Sequence, residues 1–493
     1  MQPWLRSAVL LWLCLDLAAL AAGCARTEAP PAAAAPPGLC GLAVKAAQGV
    51  RVAGAAEAPR VEVLTEPASF MLVNPGPAER ACGFELAGPG LSPERVFFRF
   101  YSAEGQTGRA EALGAGRVRV GLPVFAESYN LVSIEPPVEP LPDAARLEHG
   151  GLIYSVRGGA FLRIEGGRPI VQSLGPDTDV SLENASGEAR QVALRIQNTS
   201  DRLSAPGSEG LEEPRFRREG PLALELTGRL PAHARGRVHL SPRPLVRPYS
   251  FMVGGDVKEQ LGIFVSVIEA VRQEHDPLFL LAVGDYTRNS LPGELEQYFA
   301  RTASFPFPTY PIKGNHETNC QGRRHYARWF GPDRYSFRVG ELFFAVLDST
   351  RWDAQGYHLG QEQLGWLDQE LARSEAVPWK IVGLHVPPHP MHTSLAGYPG
   401  NLSPDDAARL KALAAAHGVA YVVSGHVHLH ARLEEAGTVY LTSAGGGSRL
   451  DGYEPVPGMQ FQLGPHMTVF TVRPGGIEEV RVAPSRLPEE VPR

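Results

Sequence analysis

Five short fragments of this chain carry side chains that could hold cations together. They are Gly255-Asp256, Gly284-Asp285, Gly314-Asn315-His316-Glu317, His385-Val386-Pro387-Pro388 and Gly425-His426-Val427-His428. The set offers hard carboxylate and amide oxygens and borderline imidazole nitrogens, with no thiolate among them. Such donors suit a pair of divalent or trivalent metal ions, and two such ions close together suit a phosphate ester, whose charge they can neutralise. Each residue alone has a plainer reading. An aspartate at a strand end can cap the next helix, and a single histidine is more often a satisfied core or surface residue. The argument rests on five fragments together.

Elements with a definite pattern must position them. Tyr249 to Val253 is apolar and strand-like and runs into Gly254-Gly255-Asp256, after which Leu261, Phe264, Val265, Ile268 and Val271 recur at helical spacing. Leu278 to Val283 is a second buried strand ending in Gly284-Asp285. Glu294 to Ala303 reads as a helix, and Thr309 to Lys313 as a strand ending in the Gly-Asn-His-Glu fragment. Trp379 to Leu384 leads to His385. Pro404 to His417 is an Ala-rich helix, and Val419 to Ser424 a strand leading to Gly-His-Val-His. Alternating strands and helices predict a layered α/β domain over residues 248–475. Every candidate ligand falls just past the C-terminal end of a strand, where such sheets place their sites.

The order and spacing of the fragments resemble the calcineurin-like metallophosphoesterase superfamily, and within it the purple-acid-phosphatase-like branch. Phe330-Gly331-Pro332, Arg334-Tyr335-Ser336-Phe337, Leu347-Asp348-Ser349, Gln363-Leu364-Gly365-Trp366-Leu367 and Ser443-Ala444-Gly445-Gly446 also look like that branch. The resemblance implies a β-sandwich flanked by helices, and hydrolysis of phosphate esters by a metal-bridging hydroxide at a binuclear centre of Fe, Mn or Zn. It implies Asp285 as the bridging ligand, Asn315, His385 and His426 on one metal, and Asp256 and His428 on the other. It makes His316 a catalytic group facing the phosphate rather than a ligand, with Glu317 orienting its imidazole.

One departure from the family pattern stands out. Lys258 occupies the position where a ligand histidine is usual, and Arg288 the position where the purple enzymes place a tyrosine. Tyr286 lies too close to Asp285 to replace it. The metal of Asp256 and His428 therefore has one protein ligand fewer. Lys258, Arg288, Asn289 and, from the loop after His385, His389 are candidate substrate contacts; His392, Arg323, Arg324 and His325 are weaker ones. The alternative is a degenerate surface protein of the same fold, acting in binding or adhesion without turnover.

The remainder bounds the setting. A chain of 493 residues with 43% hydrophobic content predicts two or three domains with proper cores. Its net charge of −6 gives no reason to expect a nucleic-acid-binding surface. Arg6, the apolar run Ala8 to Leu15 and the small residues after it read as an export signal. Leu20-Ala21-Ala22-Gly23-Cys24 resembles a bacterial lipoprotein box, which implies cleavage of residues 1–23, lipidation of Cys24 and an envelope location, with the outer membrane as the expected site. An Ala/Pro-rich tether follows over residues 24–38. Period-two patterning from Leu39 to Arg247 predicts antiparallel β-sandwich modules at 39–142 and 143–247. The second has immunoglobulin-like strand spacing, and the joint falls in the Pro-rich stretch Glu135 to Pro142. Cys40 and Cys82 are the favoured disulfide pair, and Cys320 an idle thiol. Asn184 and Asn198 read as turn residues, and residues 476–493 as a C-terminal tail.

Overall fold

The computed structural model describes residues 39–53, 59–100, 108–124, 128–139, 141–258, 260–353, 355–391, 400–448 and 456–486. The expected signal segment, Cys24, the tether and His392 lie outside them. No helix among the described residues is long and apolar enough to cross a membrane. The chain forms two compact units, one built from the residues up to Val138 together with Asn319–Gln321, the other from most of the rest.

The first unit pairs a four-stranded sheet with a five-stranded one. Alternation along the strands sends one face inward: Phe70 and Leu72, Phe84 and Leu86, Val118 and Val120, and Val132 and Ile134 meet in a single core. Cys40 and Cys82 are joined by a disulfide. Cys320 lies outside any disulfide.

The second unit opens with another sandwich, two five-stranded sheets over residues 146–242. Its core gathers Tyr154, Phe161, Val180, Leu194, Leu226 and Val238. The expectation of purely antiparallel pairing fails in both sandwiches. Arg60–Val63 runs parallel to Arg80–Ala87, and Arg168–Ser173 parallel to Arg190–Gln197. The cause is the same each time. The intervening strand, Ala68–Asn74 or Asp179–Glu183, belongs to the opposite sheet, so the chain crosses over and returns in its original direction.

The sandwich is continuous with the α/β domain. A five-stranded sheet runs in the order Thr309–Pro311, Pro277–Ala282, Tyr249–Gly254, Met467–Arg473, Gly476–Val482. A seven-stranded sheet carries Leu342–Val346, Trp379–Gly383, Tyr421–Ser424 and Thr438–Ser443 as adjacent parallel strands. The sheets face each other across an aromatic core in which Phe279 and Phe470 stack on either side of Phe251, at 5.0 and 4.8 Å. Helices Gln361–Arg373 and Pro404–Ala416 cover the outer face of the larger sheet through Leu364, Leu367, Leu371 and Leu410. Helix Leu261–Glu274 packs on Met467–Arg473 and Gly476–Val482. Two helical layers thus flank two sheets. The expected tail is corrected here: Gly476–Val482 is an edge strand, paired along its length with Met467–Arg473.

The disulfide closes a loop of 42 residues in sequence separation. Opening it restores entropy to the unfolded chain, so Cys82→Ala should lower the stability of the first unit by about 2–4 kcal/mol. Denaturant unfolding followed with and without reductant checks this: reductant should shift a transition in the wild type and none in the variant.

Candidate functional site

Five parallel strands deliver the site. Tyr249–Gly254 ends before Asp256, Pro277–Ala282 before Asp285, Thr309–Pro311 before Asn315 and His316, Trp379–Gly383 before His385, and Tyr421–Ser424 before His426 and His428. Their turns approach so closely that only glycine fits. A Cβ on Gly314 would lie 2.2 Å from Asp285 Oδ1, one on Gly425 2.6 Å from Asp256 Oδ2, and one on Gly284 2.6 Å from His385 Nδ1. Asp256, Lys258, Asp285 and His426 all hold positive φ, between 48° and 70°. Each such residue costs about 1–3 kcal/mol and persists where the surroundings over-determine it, typically at functional sites.

The side chains form two adjacent clusters that share Asp285. In one, Asn315 Oδ1 lies 3.0 Å from His385 Nε2 and 3.1 Å from His426 Nδ1, and His385 Nε2 lies 3.3 Å from Asp285 Oδ1. The outer ring nitrogens are engaged: His385 Nδ1 donates to the Val283 carbonyl at 2.6 Å, and His426 Nε2 to the Gly400 carbonyl at 2.7 Å. These bonds set the tautomers, so the inner nitrogens present lone pairs. Two imidazole nitrogens, an amide oxygen and a carboxylate oxygen then converge, a donor set that suits a cation. In the other cluster, Asp256, Asp285 and His428 are buried and bring one ligand atom each within 4.8 Å of one another. Asp285 Oδ2 is buried with no hydrogen-bond partner. Burial opposes ionisation of Asp285, but the Lys258 charge and the His316 backbone N–H help hold its carboxyl below the usual carboxylate range.

Lys258 enters this second cluster. Its Nζ lies 2.9 Å from His428 Nε2 and 3.4 Å from Asp285 Oδ2, and His428 Nε2 is 3.4 Å from Asp256 Oδ1. His316 donates its backbone N–H to Asp285 Oδ1 at 3.1 Å. Its Nδ1 donates to the Arg288 carbonyl at 2.5 Å, which turns Nε2 toward Asp285 Oδ2, 3.7 Å away.

Several expectations need correction. Glu317 does not hold the His316 imidazole; the Arg288 carbonyl does. The buried Glu317 carboxylate instead accepts backbone N–H groups of Asp285 (2.8 Å), Gly314 and Tyr286 (both 3.0 Å) and Thr287 (3.4 Å), pinning the two ligand loops together. Burial, with the nearby Asp285 charge, pushes it up to about 8. Asn289 bonds Glu294 through both its backbone N–H and its amide, at the start of helix Pro292–Thr302, and that engagement sets its position. His389 is a buried anchor: its Nε2 meets Glu435 at 2.8 Å and its ring packs on Tyr440, with burial lowering its pKa. Arg288 enters the site by its carbonyl. Arg323 reaches the Thr350 carbonyl, Arg324 lies 3.6 Å from Glu139, and His325 is buried. Tyr286 points into the core, donating to the Ala282 and Ile312 carbonyls.

Sequence reading also missed supporting residues. Ser349 Oγ accepts the N–H groups of His385 and Val386, and so sets the loop that carries His385. Buried Lys313, next to Gly314, pairs with Asp348 at 2.7 Å and with Asp333. Leu347-Asp348-Ser349 was legible as a motif, but nothing local indicated what it holds.

The geometry defines a buried cluster of candidate metal ligands at the strand ends of a layered α/β domain. Residues 249–430 match the model of the calcineurin-like phosphoesterase family. It is 27% identical over 242 residues to Purple acid phosphatase 18 of Arabidopsis thaliana, covering 43% of this chain and 52% of that one. It is 30% identical over 152 residues to Serine/threonine-protein phosphatase CPPED1 of Bos taurus, covering 27% and 48%. The chain thus spans about half the length of these relatives. The structure of a purple acid phosphatase from yellow lupin seeds aligns with 84% of this chain and 90% of its own, at 13% identity and a TM-score of 0.42.

Glu317→Gln tests the pinning role. A glutamine amide must turn its NH₂ toward one pair of the N–H groups that the carboxylate now accepts, leaving buried donors opposed. The variant should lose about 1–3 kcal/mol of stability and bind metal more weakly, because the Asp285 loop loses its anchor. Thermal unfolding and a metal titration would show it; unchanged metal affinity would reduce Glu317 to an ordinary buried acid.

Proposed function

We propose that this chain is a metal-dependent phosphoric ester hydrolase. The reading is carried by the convergence of Asn315 Oδ1, His385 Nε2, His426 Nδ1 and Asp285 Oδ1 in one buried cluster. These four residues would hold one cation, and Asp256, Asp285 and His428 outline a second, adjacent seat. Bound metal supplies positive charge to the phosphate oxygens and makes a water more acidic. Iron, manganese and zinc all suit this donor set.

The chain's own residues supply the rest. Val283 and Gly400 carbonyls fix the ring orientations of His385 and His426 before substrate arrives. His316 is the catalytic group. With Nδ1–H given to Arg288, its Nε2 side faces the shared carboxylate, where a phosphate would lie. Hydrolysis adds water across the phosphorus–oxygen bond, and the leaving alkoxide needs a proton, which Nε2 of a protonated His316 can donate. Deep burial of Asp256 and Asp285 keeps the electrostatic interactions strong.

Export is a further part of the reading. It is supported by the Arg6 to Leu15 segment, the box ending at Cys24 and the Cys40–Cys82 disulfide, a bond that persists in oxidising compartments. We infer a lipid-anchored envelope protein. Mass spectrometry of the mature protein should find an N-terminal, diacylglyceryl-modified Cys24, and Cys24→Ser should release the protein from the membrane fraction. An unmodified N-terminus elsewhere would sink this part alone.

Asp285→Ala or Asn315→Ala should abolish hydrolysis of chromogenic phosphomonoesters and diesters, with the fold retained by circular dichroism. His316→Ala should slow turnover about 10²–10⁴-fold with metal content unchanged, and the loss should shrink for substrates whose leaving groups need no proton. An equal loss across leaving groups would assign His316 an electrostatic role instead.

A further inference from the structure

The second seat is not open in the way the first is. Its three protein ligand atoms belong to Asp256, Asp285 and His428, and Lys258 Nζ stands among them. The lysine nitrogen lies 2.9 Å from His428 Nε2. An ammonium has three donors and no acceptor, so the imidazole must be the acceptor. His428 thus spends on Lys258 the lone pair that a metal ion would take. The same nitrogen lies 3.4 Å from Asp285 Oδ2, the oxygen with no hydrogen-bond partner.

The placement is built into the backbone. Lys258 holds φ of +48°, and its N–H donates to the Asp285 carbonyl at 3.0 Å, as does that of Val257 at 2.9 Å. These bonds tie the residue to the loop of the shared aspartate, with its side chain largely buried (14% exposed). A metal ion in the same seat would sit about 2.0–2.2 Å from the same nitrogen and oxygen atoms. It would then lie within a few ångströms of the ammonium, and two cations that close inside a buried site repel strongly. Charge balance points the same way. Two carboxylates, one divalent ion and one ammonium leave a single surplus positive charge for a phosphate, whereas two divalent ions beside the ammonium leave three.

We propose that Lys258 is the resident cation of the second seat, so that the site works with one metal ion, held by Asp285, Asn315, His385 and His426, and a lysine ammonium in place of a second. The inference rests on the metallophosphoesterase reading and refines it. The ammonium would balance Asp285 and donate to a phosphate oxygen, so the chain gains a fixed positive charge that no chelator removes.

Metal content of the full chain tests this. Protein stripped with chelator, reloaded with excess Mn²⁺ or Zn²⁺ and dialysed should retain one ion per chain in the wild type. Lys258→His, which trades the ammonium for a ligand, should retain two. Lys258→Met, uncharged and of similar length, should take up a second ion measurably more tightly than the wild type, and guards against a misfolded histidine variant. Asn315→Ala should retain none at the concentration that loads the wild type. Two tightly held ions in the wild type, or one ion in all three of wild type, Lys258→His and Lys258→Met, would overturn the lysine's role while leaving the metallophosphoesterase reading intact. No retained metal in any protein would overturn both.

Discussion

Two aspartate carboxylates lie where water does not reach them, and the α/β domain is arranged around that fact. Asp256 and Asp285 are both fully buried. Burying an ionised carboxylate costs several kcal/mol unless charge and hydrogen bonds compensate. Part of the compensation is already in the protein. The His426 N–H faces both oxygens of Asp256, at 3.2 and 3.1 Å, the His316 N–H serves Asp285, and Lys258 brings a positive charge. The remainder is a deficit at Asp285 Oδ2, a buried oxygen with no hydrogen-bond partner. A cation beside that oxygen would remove the deficit, which is how the burial of the carboxylates favours the metal-site reading.

Holding the carboxylates there requires a backbone that ordinary turns do not provide. Asp256 and Asp285 adopt left-handed φ immediately after their strands, which turns each side chain back across the strand ends. The turns then interlock: the Asp256 N–H bonds the Gly284 carbonyl, the Gly446 N–H the Gly255 carbonyl, and Ser448 the Asp256 carbonyl. Glu317 collects N–H groups from two loops at once, and Ser349 does the same for the loop of His385. Such a mesh fixes the candidate ligands through the backbone, which limits the reorganisation that metal binding would demand.

Much of this was legible in the sequence because strand-end ligands repeat one local grammar. An apolar run, a glycine and a polar residue recur at four of the five site strands, with Leu384 standing between Gly383 and His385 at the fifth, and the pattern singles out Asp256, Asp285, Asn315, His385, His426 and His428 as candidates. Lys258 was conspicuous for the opposite reason, as a departure from a pattern. What stayed illegible depends on partners distant in sequence. His389 reads as a loop imidazole until Glu435 and Tyr440 arrive from other strands. Glu317 sits beside His316 in sequence, yet its carboxylate turns the other way, toward residues some thirty positions earlier. The parallel pairs in the sandwiches escaped notice because alternation reports which face is buried, not which sheet the intervening strand joins.

The second sandwich belongs to the same argument. Thr309–Pro311, the strand that leads into Asn315 and His316, lies at the edge of its sheet. An edge strand exposes unpaired backbone groups and is the weakest place to mount a catalytic loop. Asn198 covers it. Its amide accepts the Thr309 N–H and donates to the Thr309 carbonyl, both at 2.8 Å, much as a neighbouring strand would. Asn198 itself holds a φ of +62°, so the sandwich loop is shaped for the purpose. Behind it Ala160, Leu174 and Leu203 of the sandwich join the same apolar core as Phe251, Phe279 and Tyr310. The sandwich therefore closes the open edge of the strand that leads into Asn315 and His316, and the precision of that loop depends on residues more than a hundred positions before it.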